Sequence, residues 1–143
     1  MSRIKLDSPE SYDFSVEIPI RITDINYGNH LGHDSIMSIL HEARVCMLKD
    51  KGFSEIDIGG CGLIMADTGI VFKNEVHYPA TLTCELAVRN LSRSGFDVYY
   101  RVMRLEDGAV IAEAKTGMVC FDYERGRPAR MPDGFRAAFQ PEP

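Results

Sequence analysis

Ten consecutive residues, Asp24 to His33 (DINYGNHLGH), gather an acid, two asparagines, two glycines and two histidines directly ahead of an apolar run. An aspartate is an ionised carboxylate at neutral pH and can attack an electrophile or take a proton from water. A histidine can donate a hydrogen bond to a carbonyl or hold such a carboxylate in place. Asp24 is therefore the first candidate for a base or nucleophile and His30 for its helper, with Asn26 beside them. If a helix starts here, the free N–H groups around Gly32, His33 and Asp34 form an electropositive pocket for a developing oxyanion, and glycine lets an electrophile come close. The same residues also suit purely local work, with Asp24 capping backbone amides and the asparagines closing turns.

Further acids lie downstream. Glu42 falls on the line of Ser35 and Ser38, off the most apolar stripe of the run, where it serves either a site or an ordinary solvated helix face. Asp67 is a candidate acid offered by a partner subunit. Met37, Met47, Met65 and Phe72 suit a tunnel for a flexible apolar group or plain core filling. Arg89, Arg93 and Arg125 are the cations available to a phosphorylated substrate. Cys46, Cys61, Cys84 and Cys120 are too far apart for a CxxC metal clip and read as free thiols. No metal site is expected.

The elements that must position these residues follow from periodicity. Phe14, Val16, Ile18, Ile20 and Ile22 alternate with polar residues, as on a strand with one buried face. Continued one step, that alternation turns Asp24 inward. Pro19 cannot donate to a ladder and places this strand at a sheet edge. From about Asp34 to Lys51 the period becomes helical, with Ile36, Leu40, Ala43 and Met47 on one stripe widened by Met37, Ile39 and Cys46. Asp34 or Ser35 is the expected cap, and Lys49, Lys51 and Gly52 are stop signals. So broad a stripe predicts a helix covered on most sides. Four strand-like runs follow, Leu63 to Val76, Thr81 to Asn90, Phe96 to Leu105 and Val110 to Tyr123, separated by turn-rich breaks and expected to form an antiparallel meander. Phe135 to Phe139 reads as a last helical turn. The whole is an α+β domain, one sheet of about five strands around one long central helix, spanning 1–143 without a break. Sheet edges left open by such a design invite pairing with a second copy.

Composition narrows the partners. A net charge of −5 and a pI near 5.3 give no basic surface for nucleic acid. Met1 to Ser11 lacks the apolar core of a signal peptide and no run approaches the roughly 20 apolar residues that span a bilayer, so the expectation is a cytoplasmic protein away from membranes.

Three stretches together resemble the hotdog-fold thioesterases, in particular the group of 4-hydroxybenzoyl-CoA thioesterase-like proteins and plant acyl-ACP thioesterases. DINYGNHLGH is similar to the family's D-x-D/N-x-x-x-H-V-N-N stretch, placing Asp24, Asn26 and His30 on matching positions. ILHEAR, Ile39 to Arg44, is similar to the EEAR of the family's central helix and places Glu42 on its acid. NEVHYPATLTCELAV, Asn74 to Val88, resembles a Y-x-x-P-A step carrying Tyr78, Pro79 and Leu86. The chain departs from the pattern at Gly28, an asparagine in the plant enzymes, and at Gly32 and His33, which replace paired asparagines. The resemblance implies a homodimeric or homotetrameric hydrolase that cleaves an acyl-CoA or acyl carrier protein thioester, a small-molecule substrate of which coenzyme A is a part. No separate cofactor is implied. Asp24, His30 and Glu42 would be its catalytic residues, and Asn26, Gly32, His33 and Asp34 would bind substrate. Two alternatives stay open: a hotdog-fold enoyl-CoA hydratase, and a non-catalytic module that binds acyl or aromatic ligands.

Overall fold

In the computed structural model, which describes residues 2–140, the chain runs β1 (Phe14–Pro19), α1 (His33–Asp50), β2 (Gly62–Phe72), β3 (Thr81–Arg89), β4 (Gly95–Arg104), β5 (Val110–Asp122), β6 (Arg127–Pro128) and α2 (Asp133–Phe139). All the strands pair antiparallel in the order β1-β3-β4-β5-β2, with the two residues of β6 set against β5. The α+β architecture is the one expected, and β1 with its Pro19 does lie at an edge, opposite Thr81.

The meander is shorter than expected. Strands β3, β4 and β5 follow one another through tight turns, but β2 pairs with β5 at the far edge of the sheet. The segment 73–80 therefore crosses the sheet rather than closing a hairpin. Its length explains this, because hairpin loops take two to about five residues. The turn-rich break Glu106-Asp107-Gly108 closes a hairpin between β4 and β5: Gly108 sits at φ 74 and donates to the Arg104 carbonyl at 2.7 Å, a left-handed position that glycine occupies without strain.

Alternation along the strands puts Leu82, Cys84, Leu86 and Val88 of β3, Val98, Tyr100 and Val102 of β4, and Ala112, Ala114, Met118 and Cys120 of β5 into one core with α1. Helix α1 contributes Ile36, Ile39, Leu40, Ala43, Met47 and Leu48. It is not covered on most sides: His33, Asp34, Ser38, His41, Glu42, Val45 and Lys49 are exposed. The stripe at i, i+4, i+7 and i+11 occupies one side of the cylinder only, and the other keeps its polar residues. The helix ends as its stop signals indicate. Gly52, at φ 85, donates to the Lys49 carbonyl at 3.0 Å, and Phe53 donates to the Leu48 carbonyl at 2.8 Å, the paired bonds of a Schellman closure. Phe53 then packs against Phe135 and Phe139 of α2, which closes one end of the core.

Arg44 of the EAR triplet is buried in this core. It donates to the Tyr100 hydroxyl at 3.0 Å, that hydroxyl lies 2.7 Å from Thr116 Oγ1, and the guanidinium is 3.6 Å from Glu55. Burial pushes the Tyr100 hydroxyl above its ordinary range, opposed by Arg44 and Thr116. Cys84 and Cys120 are buried free thiols, pushed up by desolvation to about 12 and about 11, and so are not thiolates at neutral pH. No helix among the described residues is long and apolar enough to cross a membrane.

Candidate active site

The strand ends at Pro19 and its alternation runs on through buried Ile20, but it breaks at Ile22, which is exposed rather than inward because a single 3-10 turn, Ile22–Asp24, takes the chain into the polar segment. Asp24 is nevertheless buried, at 6% exposure. Its inward direction comes from this turn rather than from continued strand parity. One carboxylate oxygen accepts the Arg21 N–H at 2.7 Å and the other faces the Arg21 guanidinium at 3.4 Å. The local capping role is thus filled, and it fixes the carboxylate without enclosing it.

What Asp24 faces is a pocket of about 350 Å³ lined by Ile18, Pro19, Arg21, Asp24, Ser38, Ile39 and Glu42. Ser38 and Glu42 are four residues apart and so share one side of α1. The structure thus brings Asp24 and Glu42 to one cleft, between the end of the edge strand and the exposed flank of the helix.

The helix start lies beside this cleft and differs from expectation. Gly32, not Asp34 or Ser35, is the N-cap residue, and no side chain caps the helix. Of the amides expected to hold an oxyanion, that of Gly32 is already used, donating to the Asp24 carbonyl at 2.9 Å. His33 and Asp34 occupy the first turn, whose N–H groups have no partner inside a helix. A Cβ at Gly32 would stand 2.5 Å from Oδ1 of the exposed Asp34 side chain and 3.6 Å, an ordinary contact, from the Asp24 carbonyl oxygen.

The remaining polar residues lie elsewhere. Asn26 closes a tight loop, its Oδ1 accepting the amides of Gly28 at 2.9 Å and His30 at 3.1 Å, while its own N–H donates to the His30 carbonyl at 2.8 Å. His30, expected beside Asp24, has its Nε2 3.3 Å from Glu75 and its ring edge-on to His77. His33 stacks on Phe72 with ring centroids 4.0 Å apart. Asn26, His30, His33 and Phe72 line a second pocket of about 230 Å³, with Lys73, Asn74, Glu75 and Val76 on its other wall.

Other candidates are occupied. Asp67 is ion-paired to Lys115 at 2.8 Å, which with the Gly117 amide holds its carboxyl below the usual range. Arg89 is paired with Asp13, and Arg125 lies 3.6 Å from Asp122. Met47 is core. Glu75 and His77 were not foreseen as partners of His30. Their i, i+2 spacing in an extended stretch was visible, but nothing in the sequence links that stretch to residue 30.

With this geometry in view, comparison with known proteins places the chain. The thioesterase-like superfamily matches residues 20–139. Among solved structures, the 1,4-dihydroxy-2-naphthoyl-CoA thioesterase of Synechocystis superposes with a TM-score of 0.81 at 22% identity, covering 88% of this chain and 94% of its own. PA2801 of Pseudomonas aeruginosa, a candidate thioesterase, gives 0.79 at 26% identity, covering 87% and 95%. The DHNA-CoA thioesterase of Staphylococcus aureus gives 0.75 at 21% identity, covering 81% and 78%. No curated protein matches in sequence. The sheet and central helix are those of the hotdog thioesterase fold.

Proposed function

Because the chain belongs to the thioesterase-like superfamily, we propose that it hydrolyses an acyl-CoA or acyl carrier protein thioester to a free acid and a thiol, with Asp24 as the acting carboxylate. The observation that carries this is a buried aspartate aimed into a pocket between the edge strand and α1, oriented by Arg21 and accompanied by Ser38 and Glu42.

As a base, Asp24 takes a proton from water while the water oxygen bonds to the thioester carbon; the tetrahedral intermediate then breaks its C–S bond and expels the thiolate, which leaves as a thiol with the proton that Asp24 took up. As a nucleophile, Asp24 bonds to the thioester carbon and the C–S bond breaks, giving a mixed anhydride and a thiolate; water then opens the anhydride to the free acid and restores the Asp24 carboxylate, and the proton released in that step meets the thiolate. Either route builds negative charge on the carbonyl oxygen. The amides of His33 and Asp34 are the donors for it, since the Gly32-to-Asp24 bond ties the helix start to the backbone of the acting residue. Glu42 sits on the far wall, placed to order the attacking water. Asn26 shapes the loop, and His30, which faces Glu75, takes no step.

Coenzyme A arrives as part of the substrate, so the reaction needs no resident cofactor. The proposal includes a cytoplasmic homodimer or homotetramer. The edge strand β2 supports assembly, with Met65 and Phe72 exposed along it.

Thiol release across short-chain, long-chain and aromatic acyl-CoA thioesters, compared with Asp24→Asn, tests the reading. Release from at least one substrate and its loss in the variant are expected. Turnover unchanged in Asp24→Asn removes Asp24 from the chemistry, and tight acyl-CoA binding without release from any thioester contradicts hydrolysis.

A further inference from the structure

One group of side chains outside the Asp24 pocket has no part in the hydrolysis. Glu75 and His77 lie two residues apart on the crossing segment 73–80, which in extended backbone puts them on one side. The neighbouring loop is joined to that segment where the Leu31 N–H donates to the Val76 carbonyl at 2.8 Å, which brings His30 alongside. His30 Nε2 is then 3.3 Å from Glu75 Oε2, and His77 Nε2 is 4.0 Å from the same oxygen. One ligand atom from each of the three residues lies within 4.8 Å of the others.

The tautomer of His77 follows from its second nitrogen. Nδ1 is 2.8 Å from the Asn29 carbonyl, which can only accept, so Nδ1 carries the proton and Nε2 of the neutral ring presents a lone pair to Glu75 and His30. An imidazole fixed through one nitrogen by a backbone carbonyl, with the other free, is the arrangement that metal-binding histidines use. The loop holding His30 is equally set: Asn26 accepts from two of its amides, and Asn29 takes the left-handed conformation at φ 61 that closes the turn.

From this geometry we propose that His30, Glu75 and His77 bind a late first-row divalent cation of the Zn2+, Co2+ and Ni2+ class. Two imidazole nitrogens and one carboxylate oxygen suit these ions and not Mg2+ or Ca2+, which take oxygen shells. Metal–ligand bonds of about 2.0–2.2 Å put tetrahedral donors roughly 3.3–3.6 Å apart. The His30–Glu75 pair already has that spacing, and His77 closes the remainder by a small movement of exposed side chains. Three protein ligands leave at least one position open to water or to a molecule in the adjoining pocket, where Lys73 and Asn74 stand.

The site is tested without any thioester, so its failure and that of the hydrolase reading are separate. The tag-free 143-residue chain is titrated with ZnCl2 by calorimetry and with Co2+ by visible absorption. Saturable binding of one equivalent of Zn2+ is expected, weakened at least about tenfold in both Glu75→Gln and His77→Ala. It is unchanged in His41→Ala, which removes a histidine paired instead with Glu55 at 2.8 Å, and Mg2+ gives no heat. Absence of saturable binding, or binding that survives Glu75→Gln, overturns the proposal. Circular dichroism monitors folding, and the isosteric, exposed Glu75→Gln decides alone if His77→Ala unfolds.

Discussion

The two pockets beside the start of α1 both draw on the stretch 18–42 yet share no lining residue. On one side Asp24 is buried, its oxygens held by Arg21, and the opposite wall is the flank of a helix. On the other, His30 and His77 are partly or well exposed and meet a carboxylate delivered by a distant segment. The division happens at the loop closed by Asn26, where Gly32 returns to bond the Asp24 carbonyl. A carboxylate with local support and a facing cleft is arranged to act on a ligand, whereas imidazoles converging on a carboxylate are arranged to hold one. Proximity in sequence did not make Asp24 and His30 a pair.

The largest expected effect tests that division. Asp24→Asn keeps the shape and hydrogen-bonding length of the side chain but removes its basicity, and should lower kcat for thiol release by about 10²–10⁴-fold. Glu75→Gln, assayed with a chelator present, should stay within about twofold, because no step of the reaction passes through it. Equal losses in both variants would merge the two pockets into one functional unit.

Next comes a change in the core beneath α1, the helix that supplies lining residues to both pockets. Arg44→Ala leaves Glu55 with only His41 and the Tyr100 hydroxyl with only Thr116, and should destabilise the chain by about 1–3 kcal/mol in denaturant titration. Arg44→Met, which fills the volume with an apolar chain, should recover part of that loss. Thiol release by any folded fraction should keep its dependence on Asp24.

A smaller effect isolates orientation. The Arg21 guanidinium is largely exposed, so its pairing with Asp24 is worth at most about 1 kcal/mol. Arg21→Ala should therefore slow turnover by no more than about fivefold, since the Arg21 backbone N–H still holds the carboxylate. A loss as large as that of Asp24→Asn would make the guanidinium part of the chemistry.

The smallest effect belongs to the β4–β5 hairpin, which contributes nothing to the lining of the Asp24 pocket, although Arg104 also donates to the Glu75 carbonyl at 2.8 Å beside the other. Hydrogen bonds from Arg104, aided by the Ala109 amide, hold the Asp107 carboxyl down at about 2. The folded form therefore binds this proton less readily than the unfolded chain, whose aspartates titrate near ~3.9. The interaction contributes fully above about pH 4 and is lost as pH falls through about 2. Arg104→Ala should return the Asp107 titration, followed by NMR, toward ~3.9 while leaving kcat near neutral pH unchanged.

Much of this arrangement was readable in the chain. Period-two and helical stripes located β1, α1 and the four later strands, of which only β3, β4 and β5 form the expected meander; Gly52 and Gly108 marked positions where the backbone turns left-handed. Asp24 was legible as an inward-facing acid, although the reason lay in a 3-10 turn that alternation does not predict. Strand neighbours were less readable. That β2 pairs with β5 depends on the path of the crossing segment, and with that pairing hidden, so was the meeting of His30 with Glu75 and His77. Glu42 was seen as a helix acid, but its shared cleft with Asp24 depends on the position of β1 against α1. The burial of Arg44 reflects a partner on β4 that no local pattern reveals. Periodicity reports which face is buried, and only the folded topology decides which faces meet.

The most direct test of the Asp24 assignment is the position of a bound substrate carbonyl. A crystal structure with a non-hydrolysable acyl-CoA analogue, in which a methylene replaces the thioester sulfur, should place the carbonyl carbon within about 3.5 Å of the Asp24 carboxylate, with the acyl chain against Ile18, Pro19 and Ile39. A carbonyl seated instead between the His30 side chain and Asn74, out of reach of Asp24, would contradict the account.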